Sequence, residues 1–257
     1  MVVPRDLDDL LATASGFGGC PRCKYFQGGW AALCHRCASR KWEALADDRR
    51  RCQTCDLPFA TGEKECHNPV CALSERYFEW NYAIAMRTGV LKDVISDYKY
   101  HDRKAWASIF GRILVGFLDA HRPVFEKMDL LIPSPAYTGD GAHRSWNHIS
   151  EILAAAARES EEWPFDLADP PAVVKLAETE QMVGKTYQQR KVHAQGFLRE
   201  ALAVTNVART RNKSIVVVDD VFTDGLTLNE VARVLKVQGE AAAVVGVTLS
   251  RQPWRRS

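Results

Sequence analysis

The 257-residue chain predicts an α/β protein, a mostly parallel, doubly wound sheet preceded by a cysteine-rich module. Three observations carry this expectation. All 8 cysteines fall between Cys20 and Cys71; apolar helical stripes alternate with short β-branched runs from about Tyr77 onward; and Ile215 to Thr227 reads as a strand, an acidic turn and a helix start. Strands alternating with helices imply a parallel sheet with helices packed on it. A hydrophobic content of 46% is that of an ordinary globular chain. The expected boundaries are a lead-in over 1–16, the cysteine module over 17–75 and the α/β domain over 76–257.

The cysteines come first in the chain. They are spaced as Cys20-x2-Cys23, Cys34-x2-Cys37, Cys52-x2-Cys55 and Cys66-x4-Cys71. Cys20, Cys23 and Cys34 stand at the same mutual spacing as Cys52, Cys55 and Cys66, and His35 and His67 follow the third cysteine each time. Paired knuckles of this kind present thiolates to one side of a tetrahedral ion, so the pattern predicts zinc. The repeat favours two tandem sites, Cys20/Cys23/Cys34/Cys37 and Cys52/Cys55/Cys66/Cys71, over a cross-braced pairing of alternate knuckles. Four thiolates satisfy each ion, which leaves His35 and His67 as non-ligands. Disulfides belong to secreted chains, and Met1 to Leu11 contains no apolar secretion segment. No apolar run has the length of a membrane span, so the expectation is a protein of the reducing cytoplasm with no membrane insertion.

The later elements follow from periodicity. Leu91, Val94, Ile95 and Tyr98 mark one amphipathic helix, and Trp106, Ile109, Phe110, Ile113, Leu114 and Phe117 a second. Leu130 to Ile132 is a short strand ended by Pro133-Ser134-Pro135. Trp146, Ile149, Ile152, Leu153 and Ala156 make a further helix, and Ala172 to Leu176 a strand. Thr179 to Phe197 is polar, basic and contains glycine, which predicts a long mobile loop. A strand over 215–220, a helix running to Gly239 and a strand from Ala241 to Leu249 complete the domain.

The chemistry concentrates in Ile215-Val-Val-Val-Asp219-Asp220-Val-Phe-Thr223-Asp224-Gly225-Leu226-Thr227. Open α/β sheets bind ligands at the carboxyl ends of their strands, where Asp219 and Asp220 are expected. A helix N-terminus offers backbone N–H groups and a positive dipole end to a phosphate, and two carboxylates can accept from vicinal hydroxyls. Together these describe a ribose 5-phosphate. The run resembles the phosphoribosyl pyrophosphate (PRPP) signature of type I phosphoribosyltransferases. That resemblance implies that Asp219 and Asp220 hold the ribose hydroxyls and that Thr223, Asp224, Gly225, Leu226 and Thr227 form the 5-phosphate loop. Asp224 stands where that family has a hydroxyl or a small residue. A carboxylate beside a dianionic phosphate is repulsive unless protonated, turned away or bridged by a metal.

Taken whole, from about Cys20 to Arg251, the chain resembles the ComF family of competence proteins, which joins a double zinc ribbon to a type I phosphoribosyltransferase-like domain. Tyr98-Lys99-Tyr100, Ile132-Pro133-Ser134-Pro135 and Arg144-Ser145-Trp146-Asn147-His148 look like elements of that family, as do Gln181 and Arg190. Ser145, His148 and His193 differ from its pattern. By this resemblance Lys99 and Arg144 face a pyrophosphate, and the role is in handling DNA taken up in transformation.

Two function classes follow. One is a competence factor whose pocket holds PRPP, another ribose-5-phosphate ligand or single-stranded DNA, with the ribbons docking DNA or competence proteins. The other is a magnesium-dependent phosphoribosyltransferase in which Asp219, Asp220, Thr223 and Arg144 are catalytic. Charge adds little, because the formal net charge is +2 and a zinc–tetrathiolate centre contributes about −2. The basic cluster Arg49-Arg50-Arg51 is the candidate nucleic-acid contact.

Overall fold

The computed structural model describes residues 51–253 apart from 60, 61, 88, 101, 102, 181 and 183. The first cysteine quartet, Cys20/Cys23/Cys34/Cys37, and also His35, Arg49, Arg50 and Gln181 lie outside the described residues. In chain order the elements are β1 (Asn81–Met86), α1 (Gly89–Tyr100), α2 (Ala107–Ala120), α3 (Arg122–Phe125), β2 (Leu130–Pro133), α4 (His148–Glu159), β3 (Val173–Lys175), α5 (Tyr187–His193), β4 (Leu202–Val204), β5 (Ser214–Phe222), α6 (Leu226–Val237) and β6 (Ala243–Arg251).

Four strands pair in the order β1-β6-β5-β2, and every pairing is parallel. The apolar run of β5 is continuous because the sheet is covered on both faces. Val216 and Val218 turn toward α1, α2 and α4, where Leu91, Ile95, Phe110, Leu114, Ile149 and Leu153 meet them. Ile215 and Val217 turn the other way, toward Leu228, Val231, Ala232 and Leu235 of α6. Each buried aliphatic side chain contributes roughly 1.5–3 kcal/mol, so these two clusters hold the sheet and its helices together. Helices α2 and α4 approach closely through Gly111, where an added Cβ would lie 2.7 Å from the Ala156 nitrogen. Close backbone approach is what glycine permits there.

The 52–78 segment packs on the α6 face. Cys52, Cys55, Val70 and Phe78 join the same apolar cluster as Val217 and Phe222 of β5.

Three features differ from the sequence reading. Strand β1 has no counterpart among the expected elements, and it forms the sheet edge beside β6. The run around Val173 is a strand, but it pairs antiparallel with β4 in a separate two-stranded sheet. Thr179 to Phe197 is not one long loop. The Thr186 hydroxyl accepts from Gln189 N while the Gln189 side chain accepts from Thr186 N, a capping box that starts α5. The helix continues through a π-helical turn, Ala194–Leu198, into Arg199–Ala201. Its polar composition reflects a mostly exposed surface, and Thr186-x-x-Gln189 was the local signal for its start.

Candidate functional site

The second cysteine quartet is assembled. Cys52 Sγ lies 3.7 Å from Cys71 Sγ, Cys55 Sγ 3.6 Å from Cys66 Sγ, and Cys66 Sγ 3.7 Å from Cys71 Sγ. All four sulfurs fall within 4.8 Å of one another. A disulfide needs sulfurs about 2.05 Å apart, whereas a tetrahedral ion with bonds of about 2.3 Å needs them about 3.8 Å apart. The donor set therefore fits a metal ion such as zinc. Shared thiol hydrogen bonds draw Cys52 down to about 6 and Cys55 lower still, while Cys66 and Cys71 are pushed up. A divalent cation would resolve this shared protonation by taking all four as thiolates. His67 lies outside the quartet and approaches Glu63, Nε2 to Oε1 at 3.8 Å.

The second centre lies where the carboxyl ends of β2 and β5 meet the start of α4. Strand β5 runs two residues past Asp220, so both acids sit inside its last stretch, with Asp219 beside Thr248 of β6. Asp220 is buried, and its Oδ2 receives two donors, Lys99 Nζ at 2.6 Å and His148 Nε2 at 2.6 Å. Arg144 Nη1 lies 2.8 Å from His148 Nδ1. Because guanidinium only donates, Nδ1 is the acceptor and Nε2 carries the hydrogen given to Asp220. Arg144 also stacks over the Tyr100 ring at 5.1 Å, and the Tyr98 hydroxyl donates to the His148 carbonyl at 2.7 Å. Asn147 caps α4 by accepting from Ile149 N and Ser150 N, and its amide donates to the Ser134 carbonyl at 3.1 Å. That single side chain fixes the β2 turn against the helix that presents His148.

The two acids are driven apart electrostatically. Burial, then the charge of Asp220, pushes the Asp219 carboxyl up to about 7, against opposing help from Lys99 and Ser134. Burial would also raise Asp220, but Lys99 and His148 outweigh it and hold this carboxyl well below the usual carboxylate range. Burial keeps His148 below its ordinary value despite Asp220, which agrees with the neutral tautomer. One acid is thus an anchored anion and the other titrates near neutrality, able to donate to or accept from a hydroxyl. His148, Asp219 and Asp220 also bring ligand atoms within 4.8 Å of one another, but the Lys99 ammonium already neutralises the charge that a cation would need.

The third part is the turn into α6. Gly225 has φ +86°, and an added Cβ there would meet the Phe222 ring at 2.4 Å. Thr223 and Thr227 are exposed, while Asp224, Gly225 and Leu226 are buried. Asp224 is not turned out to solvent. Its Oδ1 accepts from Leu226 N at 3.1 Å, and its Oδ2 accepts from Arg190 Nε of α5 at 2.6 Å. A carboxylate therefore fills the kind of cradle, one helix N–H and one guanidinium, that suits a phosphate oxygen.

Of the residues singled out in the sequence, Asp219, Asp220, Lys99 and Arg144 converge, and Thr223 to Thr227 form one turn. His148 and Ser134 stand in the sequence only as parts of motifs, and their direct bonds to the acids were not foreseen. The available signal was His148 standing four residues after Arg144 at a helix start. Arg190 belongs to the basic segment 179–197, but its pairing with Asp224 joins residues distant in sequence. Arg51, the described member of the basic cluster, pairs with Asp56 at 3.4 Å. No family model and no curated protein matches the chain.

Proposed function

We propose that this protein is a ComF-like factor with a type I phosphoribosyltransferase-like domain, whose pocket receives the ribose phosphate of PRPP or a related nucleotide ligand. The observation that carries the reading is the pair Asp219/Asp220 at the carboxyl end of β5, next to the Gly225 turn that opens α6. Asp219 would take the ribose hydroxyls with Asp220 behind it. Lys99 and Arg144 supply positive charge near the Pro133-Ser134-Pro135 turn for a pyrophosphate. The Asp224–Arg190 pair occupies the cradle in the resting protein and favours a binding role in DNA handling over rapid turnover. In that role the cysteine module would dock single-stranded DNA or competence proteins. A thiolate metal centre suits a reducing cytoplasm, and among the described residues no helix is long and apolar enough to cross a membrane.

Transferase activity is the second reading, and the titration of Asp219 near neutrality favours keeping it. The residues would hold the ribose as its anomeric carbon develops positive character, with Arg144 steadying the departing pyrophosphate. Magnesium bound with the pyrophosphate would supply further charge neutralisation. Calorimetric titration of zinc-loaded protein with PRPP, with and without magnesium, tests the pocket. Binding that disappears when Asp219→Asn and Asp220→Asn are combined supports it; no binding by the wild type at millimolar PRPP refutes it. Release of pyrophosphate from PRPP in the presence of candidate nitrogen nucleophiles would distinguish the enzyme from the binding factor.

A further inference from the structure

Arg251, the last residue of β6, is fully buried and connects the cysteine quartet to the turn into α6. Its Nε donates to the Cys55 carbonyl at 3.0 Å, and its Nη2 reaches Cys55 Sγ at 3.5 Å. Its Nη1 donates to the carbonyls of Phe222 at 3.0 Å and Thr223 at 2.7 Å, and to Gln252 O at 2.7 Å. The guanidinium also lies over the Phe222 ring at 4.8 Å, the ring that underlies Gly225. Asn68, between Cys66 and Cys71, makes a second bridge. With its amide oriented to satisfy both neighbours, its oxygen accepts from Arg251 Nη2 at 3.0 Å and its nitrogen donates to the Asp224 carbonyl at 3.2 Å.

A buried cation needs a counter-charge, yet among the described residues the acceptors of Arg251 are carbonyl oxygens, an amide oxygen and a sulfur. Of these the sulfur alone belongs to a group that can carry negative charge, and a divalent ion held by four thiolates carries about −2. Metal-loaded, the quartet holds Cys55 Sγ and the Cys55 carbonyl, the acceptors of Arg251 Nη2 and Nε, in one fixed place; without the metal the four sulfurs are no longer tied to a common centre, and that anchor of the guanidinium loosens. Outer-shell donors to a thiolate centre orient it and tune it, and here the same donor's other hydrogens fix the Phe222–Thr223 backbone.

We infer that Arg251 is a positioning residue through which the metal state of the Cys52/Cys55/Cys66/Cys71 centre sets the geometry of the Phe222–Thr227 turn. The consequence for ligand affinity rests on the function proposed above; the link between metal and turn does not. Binding energies coupled in this way are reciprocal, so a ligand seated on the turn would also tighten the hold on the metal.

The test is amide hydrogen exchange on the full chain, zinc-loaded and after chelation. Chelation is expected to speed exchange at least tenfold in peptides covering 222–227, while α4 peptides covering 148–159, on the opposite face, stay within twofold. In zinc-loaded Arg251→Met the turn should exchange at the fast rate with zinc content retained, and chelation should add less than twofold. Arg251→Lys, which keeps the charge and loses the fork of donors, should fall between. Unchanged exchange at 222–227 on chelation, or equal loosening of the turn and α4, overturns the inference, and the wild-type comparison decides it even if Arg251→Met fails to fold. PRPP titrations separate the two claims. A zinc-dependent turn that binds no PRPP refutes the proposed function alone, and equal PRPP affinity with and without zinc refutes the coupling alone.

Discussion

Replacing Asp224 by threonine is the sharpest perturbation of the pocket. Its carboxylate is bound by Leu226 N at 3.1 Å and by Arg190 Nε at 2.6 Å. A phosphate that takes the Leu226 N–H must displace this carboxylate or sit beside it. Two unit charges about 4 Å apart interact by about 4 kcal/mol at an effective dielectric of about 20, so a dianion meets repulsion of about 8 kcal/mol, roughly half of it offset by Arg190. Rotation of the carboxylate toward water lowers the remainder, and about 1.4 kcal/mol suffices for a tenfold change in affinity. Asp224→Thr removes the charge, restores a hydroxyl donor and leaves Arg190 to face the phosphate. PRPP binding by calorimetry should therefore tighten at least tenfold. Arg190→Gln leaves the carboxylate uncompensated and should weaken binding instead. Unchanged affinity in Asp224→Thr, or tighter binding in Arg190→Gln, would refute the reasoning and relocate the phosphate away from this turn.

Elemental analysis of chelator-free protein should find close to two zinc ions per chain, and Cys52→Ser should cost several of the roughly 10–16 kcal/mol that a structural zinc site supplies; one zinc per chain would refute the tandem arrangement. Gly225→Ala forces an L side chain into φ +86° and into the Phe222 ring, so a loss of about 2–3 kcal/mol in denaturant melts is expected, from left-handed strain plus overpacking. Asp219, raised to about 7 in the folded protein, contributes stability that is complete below the unfolded carboxyl value and lost as pH rises through about 7. Asp219→Asn should flatten that decline between about pH 4 and 7 and leave the variant more stable than the wild type above pH 7 by at least about 1.4 kcal/mol, the worth of one displaced pKa unit; an unchanged pH profile would exclude Asp219 as the titrating group. Single-strand binding through Arg49, Arg50 and Arg51 should fall steeply with salt. Neutralising all three should weaken it, and because Arg51 is tied to Asp56 the larger share of that loss is expected from Arg49 and Arg50.

The central strands and their helices were legible because their signals are local. Four β-branched residues before Asp219, and Leu228, Val231, Ala232 and Leu235 at helical spacing, state strand and helix within the 21 residues from Ile215 to Leu235. The cysteine quartet was legible for the same reason, as spacing alone groups its donors. Strand β1 was not, because Asn81-Tyr-Ala-Ile-Ala-Met has little alternation and its partner β6 comes from the far end of the described chain. The site followed the same division. Asp219 and Asp220 could be read from their own strand, whereas the assignments of His148, Arg190 and Arg251 depend on contacts across 72, 34 and 196 residues. Side-chain type marks a residue as capable of pairing, and only the fold selects its partner.

The reach of Arg251 also bears on the order in which this protein can be made. Strand β1 and the second cysteine quartet leave the ribosome early, but the strand that pairs with β1 and the guanidinium that meets Cys55 arrive together, 196 residues after that cysteine. Contacts at such separation require large loops to close before they return any stabilisation. During synthesis the quartet can take up a metal ion through local spacing alone, yet its docking face and strand β1 stay unsatisfied until β6 emerges. An exposed thiolate centre beside an unpaired apolar strand is an aggregation-prone intermediate. Metal captured early would shield those thiols through the interval, so zinc supply during translation should govern the yield of folded protein more than zinc added afterwards.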